Sequence, residues 1–380
     1  MRVFLFSFFL ILSSFSFKAQ SLNPLTQIEG EQIYYYPNGS LMEKAFVRNS
    51  KKQGDFYQYY QNGQVKLKAF YIDGLLSNEW FLYFPNGNLK SKCYYKLGKI
   101  GGEYINYFED GNIQEILNYE QGVLQGDYLM YDNFGVVLIK GKYKDGLKND
   151  LWQSFYQNGQ LESSVSYFNG LKQGQYQSFY DSGIKNNVSM YNQDTLEGTF
   201  NSFFLNNKIQ VESCYKNGLL DGKYISYNMN GNFQTITEYK MGVENGCHLE
   251  YADSNKLISK VNFIDGKKND VAFYYYPNGN LYLKGCFKDN LEIGEWIEYF
   301  ENGTISKIHT YANGLLNGIS KDFYDDGKLE EIGYYVNGLS DGIWKMYIYY
   351  KDDIFESSGT FKNGKKLDDW QTIKIHSVED

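Results

Sequence analysis

Histidine and cysteine, the side chains that most often build metal centres and nucleophilic active sites, are scarce here. The 380 residues include only His248, His309 and His376, and only Cys93, Cys214, Cys247 and Cys286. No set of histidines and cysteines stands at metal-ligand spacing, and the chain has no P-loop or zinc signature. No enzymatic activity, metal or cofactor is therefore expected. Runs of basic residues are also absent. The chain holds 37 Lys and Arg against 45 Asp and Glu, a net charge of −8, which argues against nucleic-acid partners and a polybasic membrane patch. A helical apolar period is missing as well, because glycine interrupts it three times in every 24 residues.

What the chain does have is a period. An anchor glycine recurs every 24 residues from Gly30 through Gly54, Gly102, Gly126, Gly174, Gly198, Gly222, Gly246, Gly294 and Gly318 to Gly342, and Asn78, Asp150 and Asp270 fill the gaps. Counting positions from the anchor, a second glycine series stands at position 9 (Gly39, Gly63, Gly87) and a third at position 20 (Gly74, Gly98, Gly122). Their exceptions include Asn207, Asn255, Asp194 and Asn290. Asn and Asp are the non-glycine residues that best tolerate positive φ, so the substitutions predict three left-handed backbone positions per repeat. Position 5 is aromatic in all 14 repeats, from Tyr35 to Tyr347, and position 17 carries a ring from Tyr71 to Tyr335, with Val47 opening the series.

Tyr- and Phe-rich runs bounded by Asn-Gly or Asp-Gly predict one β-hairpin per repeat. Asn62-Gly63 and Asn302-Gly303 are expected to join the two strands of a hairpin, and the longer N-G-x-x-x-G link to lead into the next. The expected fold is all-β, with tandem 24-residue β-hairpin repeats stacked into an elongated, twisted single sheet or rod. It should grow about 10 Å per repeat, to a length on the order of 130 Å. The rings at positions 5 and 17 would then form a continuous core along one face, with stability roughly a sum of repeat and neighbour terms.

Residues 1–20 read as a secretory signal peptide: Arg2 supplies a positive start, Val3–Phe17 is apolar apart from serines, and Ala19 is small. The stretch is too short to predict a membrane span, and none is expected in the mature chain. The expected destination is the periplasm, the cell surface or the medium. Residues 21–29 form a polar leader, residues 30–367 the array of 14 repeats, and residues 368–380 a partial repeat and charged tail. A two-residue insertion in YIYYKDD moves the last anchor to Asp368. The four cysteines fall in different repeats; Cys214 and Cys286 should lie roughly 30 Å apart, far beyond bridging distance, so no disulfide is expected.

Position 2 holds all five tryptophans, Trp80, Trp152, Trp296, Trp344 and Trp370, together with Tyr104, Tyr128 and Tyr176, but Gln32, Ala272 or Ser320 in other repeats. His248 occupies the same position and reads as a packing substitute. Alternation along a strand places position 2 on the face opposite position 5. These eight rings are the candidate face for a partner or ligand, set beside the plainer reading that they pack within a two-faced sheet. Five acids just after the anchor, Glu31, Asp55, Glu79, Glu103 and Asp127, form a stripe about 10 Å apart, too sparse for a divalent cation. A solvated face or an electrostatic docking stripe accounts for them.

The pattern G-x-W-x-x-Y-[YF]-x-N-G-x-L followed by Y-x-x-G-x-x-x-G resembles the MORN repeat family, in the variant class of bacterial proteins often labelled toxin–antitoxin antitoxins. Residues Gly54–Asp73, Gly102–Gln121 and Gly294–Asn313 carry it best, and the resemblance extends over about nine tenths of the chain. It implies stacked hairpins and a scaffold that binds a protein partner, and it supplies no catalytic residues. The signal peptide directs the chain away from cytoplasmic toxins. Two alternatives remain: a cell-wall or glycan-binding aromatic hairpin array, and a toxin-associated repeat similar to the tyrosine-aspartate (Rhs-like) repeats.

Overall fold

The computed structural model describes residues 29–377. The expected signal peptide and nearly all of the leader lie outside the described residues. Those described are all-β and fall into two compact units, residues 29–111 and 112–377. No described helix is long and apolar enough to cross a membrane.

The N-terminal unit holds seven strands, Gly30–Tyr35, Leu41–Arg48, Lys51–Tyr59, Val65–Ile72, Leu75–Tyr83, Leu89–Lys96 and Lys99–Tyr107. Each runs antiparallel to the next. The C-terminal unit repeats the pattern from Ile113–Glu120 to Gln371–Ser377, again antiparallel between chain neighbours. Each 24-residue repeat therefore supplies two strands and two connections.

Those connections differ from the expectation. The N-G-x-x-x-G link contains the tighter turn. Asn313-Gly314, at φ 52° and 79°, joins Ile305–Ala312 to Leu315–Phe323 with Ala312 paired to Leu315, the two-residue geometry with both φ positive. Asn62-Gly63 sits in the wider loop, where the Tyr60 N–H donates to the Gln64 carbonyl at 2.8 Å. The anchor is not in a turn at all. Ala45 pairs with Phe56 but Val47 with Lys52, so Gln53–Asp55 face Phe46 alone. Gly54 at φ 77° is thus the left-handed residue of a β-bulge. The substitutes hold the same conformation, with Asn78 at 62°, Asp150 at 58° and Asp270 at 64°. Left-handed positions number four per repeat rather than three, because position 19 joins them even as Leu97 (48°) or Met241 (49°). The two-residue turn imposes that φ whatever residue sits there.

The faces also need correcting. Gly30 pairs with Val47 and Gln32 with Ala45, which puts positions 0, 2, 15 and 17 on one face. Position 5 points the other way, where Tyr59 stacks on Tyr57 at 6.3 Å. The rings at 5 and 17 therefore do not share a core. The buried clusters instead gather positions 2, 15 and 17: Ala45, Phe56 and Ala69 in the N-terminal unit, and Val261, Ala272, Phe287 and Trp296 in the C-terminal unit. The insertion after Tyr347 turns one wide loop into a tight turn, and Gly342–Tyr350 pairs with Asp353–Lys362 through nine uninterrupted positions. All four cysteines are free thiols, and burial pushes that of Cys93 up to about 12.

Candidate interaction faces

The ring face is built from cross-strand neighbours. In the C-terminal unit, Trp152 packs edge-on against Tyr143 at 5.1 Å and Tyr167 at 6.2 Å, and stacks with Tyr128 at 5.4 Å. Trp296 meets Phe287 at 4.9 Å, and Trp344 meets Tyr335 at 5.0 Å. Such pairs contribute about 0.5–1.5 kcal/mol each beyond the area they bury. Trp152, Trp296 and Trp344 are only 5%, 8% and 6% exposed. Trp80, Trp370, Tyr104, Tyr128 and Tyr176 are half-buried. Trp80 stacks on Tyr104 at 6.5 Å, Tyr176 meets Tyr191 at 6.1 Å, and Trp370 meets Phe361 at 6.4 Å. His248 takes the ring position, bonded to the Thr237 hydroxyl at 2.8 Å and edge-on to Phe263. All eight candidate rings thus lie on one kind of face, and most of their ring partners are the position-17 rings of that same face.

Two features that the sequence reading missed bury rings on a single-layer sheet. The first is a glycine at position 15 of the preceding repeat. A Cβ on Gly141, Gly285 or Gly333 would come within 2.2, 2.0 and 2.1 Å of the indole of Trp152, Trp296 and Trp344. These indoles lie directly on backbone. The second is a lysine lid at position 22. Lys148 Nζ sits 4.1 Å from the Trp152 ring, and Lys52 Nζ sits 3.6 Å from that of Phe56. Burial, with Lys172 nearby, holds the Lys148 ammonium below its ordinary value, and burial raises the Tyr128 phenol above its own. The signals were legible as covariation: Gly141, Gly285, Gly333 and Gly359 each stand one repeat ahead of a tryptophan.

At the wide loops a further ladder ties repeat to repeat. The hydroxyl of Tyr60 donates to the Tyr83 carbonyl at 2.7 Å, and Tyr156, Tyr180, Tyr276 and Tyr324 repeat the bond in the C-terminal unit. Asn62 accepts from the Gln64 N–H through Oδ1 and donates through Nδ2 to the Pro85 carbonyl. These side chains satisfy loop carbonyls and are structural rather than ligand-binding.

The opposite face is less covered. It carries positions 1 and 16 beside each bulge, and positions 3 and 14 one row further along the strands. In the N-terminal unit Glu31 pairs with Phe46, Asp55 with Phe70, and Glu79 with Tyr94. Phe46 and Tyr94 are 46% and 48% exposed. A shallow depression of about 420 Å³ opens beside the bulge, lined by Glu31, Lys44, Phe46, Gly54, Asp55 and Tyr57. In the C-terminal unit the same position holds exposed Leu151, Val271, Ile319 and Ile343.

This geometry defines the chain as a tandem β-hairpin repeat protein. A family model described as "MORN repeat variant" matches residues 28–49, 52–73, 76–97, 100–121, 151–169, 196–217, 271–289, 292–313 and 316–337, about half of the chain. The chain belongs to the MORN repeat family. The five repeats that this model does not match, from Gly126, Gly174, Gly222, Gly246 and Gly342, keep the same left-handed anchor. Among curated proteins none matches. A chain in the crystal structure of TcdB2-TccC3-Cdc42 aligns over 90% of this chain at 11% identity and a TM-score of 0.17. This chain spans 23% of that one.

Proposed function

We propose that the chain is an exported, non-enzymatic MORN repeat scaffold that binds another protein. The observation that supports this is the contrast between the two faces. Rings, small residues and lysine lids consume the ring face, so its side chains are already occupied. The opposite face is exposed beside every bulge but that at Cys247 among the described residues and changes character along the chain, from Glu31, Asp55, Glu79 and Glu103 to Leu151, Val271, Ile319 and Ile343. A regular backbone that displays irregular side chains suits recognition of a large, shaped surface. Export rests on the apolar stretch Val3–Phe17. No observation favours glycan stacking, which needs exposed indoles where Trp152, Trp296 and Trp344 are buried.

The test is site-specific photo-cross-linking in cells expressing the full chain, with fractionation of the same cultures. Cross-linkers at Val271, Ile319 and Ile343 should give discrete protein adducts outside the cytoplasm, and one at half-buried Tyr128 should give none. Absence of adducts from all three exposed positions removes the protein-binding reading, and a purely cytoplasmic chain removes export.

A further inference from the structure

The bulge-side face of the N-terminal unit has a two-dimensional charge pattern. Every outgoing strand carries an acid at position 1, in Glu31, Asp55, Glu79 and Glu103. Every complete returning strand carries a lysine at position 14, in Lys44, Lys68 and Lys92. Pairing of Ile33 with Lys44, Tyr57 with Lys68 and Phe81 with Lys92 sets these lysines one row from the acids on the same face. The result is an acid–aromatic row beside a lysine–apolar row. Within the face only Lys44 and Glu31 are paired, at 2.7 Å. Asp55, Glu79, Glu103, Lys68 and Lys92 form no ion pair among the described residues.

We propose that this face docks against the same face of a second copy of the chain. A two-fold axis lying across the strands, midway between the rows, sets the acid–aromatic row of one copy over the lysine–apolar row of the other. Carboxylates then approach lysines, and Phe46, Phe70 and Tyr94 approach Ile33, Tyr57 and Phe81. Such isologous contacts require a self-complementary patch, and two adjacent rows of opposite charge supply one. A purely cationic partner fits less well, because residues 29–111 hold 9 acidic and 10 basic side chains. Stacked sheets sit about 10 Å apart, which long Lys and Glu side chains span. Seven strands at about 4.8 Å, each contributing roughly 20 Å of length, give a face near 600 Å² per copy. Two such faces bury about 1,200 Å², the lower bound for a specific interface. The dimer should therefore dissociate on dilution. The position is independent of any heterologous partner, so its failure leaves the scaffold reading standing.

The test is the oligomeric state of the full exported chain by light scattering and sedimentation over a concentration series. Wild type should approach dimer mass as concentration rises and shift towards monomer as salt is added. The triple variant Asp55→Lys, Glu79→Lys, Glu103→Lys should remain monomeric, as should Lys44→Glu, Lys68→Glu, Lys92→Glu, each at least tenfold weaker in self-association. Mixed at equal amounts, the two variants should form a heterodimer, which also shows that both are folded. The proposal is overturned by a monomeric wild type, by single-sign variants that dimerise as wild type does, or by a mixture that stays monomeric.

Discussion

The N-terminal and C-terminal units share one backbone recipe but differ in how each face uses it. On the ring face the two obey a common volume rule. Phe56 lies between Ala45 and Ala69, and Trp296 lies on Gly285, so a larger ring is met by a smaller neighbour. On the opposite face no common rule holds. The N-terminal unit repeats acid and lysine in register, whereas the C-terminal unit keeps an acid at that position only in Asp127 and Glu295 and elsewhere has Leu151, Gln175, Thr199, Lys223, Cys247, Val271, Ile319 and Ile343. Packing constrains the ring face in every repeat because its neighbours are fixed by strand pairing. The bulge-side face is free to vary, and regularity there needs another cause. That contrast is what marks the N-terminal charge pattern as more than a by-product of the repeat.

The strongest way to break the comparison is to remove a ring from each unit. Trp152→Ala deletes a buried indole with three ring partners and should cost about 3–5 kcal/mol. Trp80→Ala removes a half-buried ring that faces Ala69 rather than glycine, and should cost clearly less. Chemical denaturation followed by amide exchange would measure both, with losses confined to neighbouring repeats. Equal costs would mean that the glycine seat adds nothing. A smaller effect tests the seat itself. Gly285→Ala places a Cβ 2.0 Å from the Trp296 indole and should cost about 1–3 kcal/mol by overpacking. The double variant Gly285→Ala, Trp296→Phe should recover part of that loss, and a loss that the smaller ring does not relieve would refute the seat.

Much of this is legible in the sequence alone. The 24-residue period, the all-β class and the left-handed anchors followed from glycine and its Asn and Asp substitutes. Three features were not. Whether Asn-Gly closes a two-residue turn or sits inside a wider loop depends on the next hydrogen bonds, which Tyr60 and Gln64 decide. Sequence alone sets the anchor in the N-G-x-x-x-G link rather than in a bulge, because a bulge and a turn demand the same positive φ. That misplacement did not affect strand alternation, so position 2 was correctly set opposite position 5. The company of position 2 was missed, because cross-strand register fixes which returning residue lies beside it, and one strand cannot show that. Tryptophans that looked like a binding face are for this reason found lying on glycines.

The smallest expected effect compares two glutamates at the same repeat position. Glu43 in the N-terminal unit has Lys52 Nζ at 3.1 Å and Gln58 Nε2 at 3.1 Å. Glu115 in the C-terminal unit has no ion pair among the described residues, and burial raises its carboxyl above the ordinary value of 4.5. Its folded form thus holds a proton more tightly than its unfolded form does. Stability from this group is full below pH 4.5 and is lost as pH rises through that value towards the folded one. Glu115→Gln should therefore raise the melting midpoint at pH 7 by about a degree or two, with the gain vanishing by about pH 4. Glu43→Gln, which removes a paired carboxylate, should give no gain at pH 7. Melting both variants across that pH range checks the sign, and a gain for Glu115→Gln that persists at pH 4 would show that shape rather than charge is at fault.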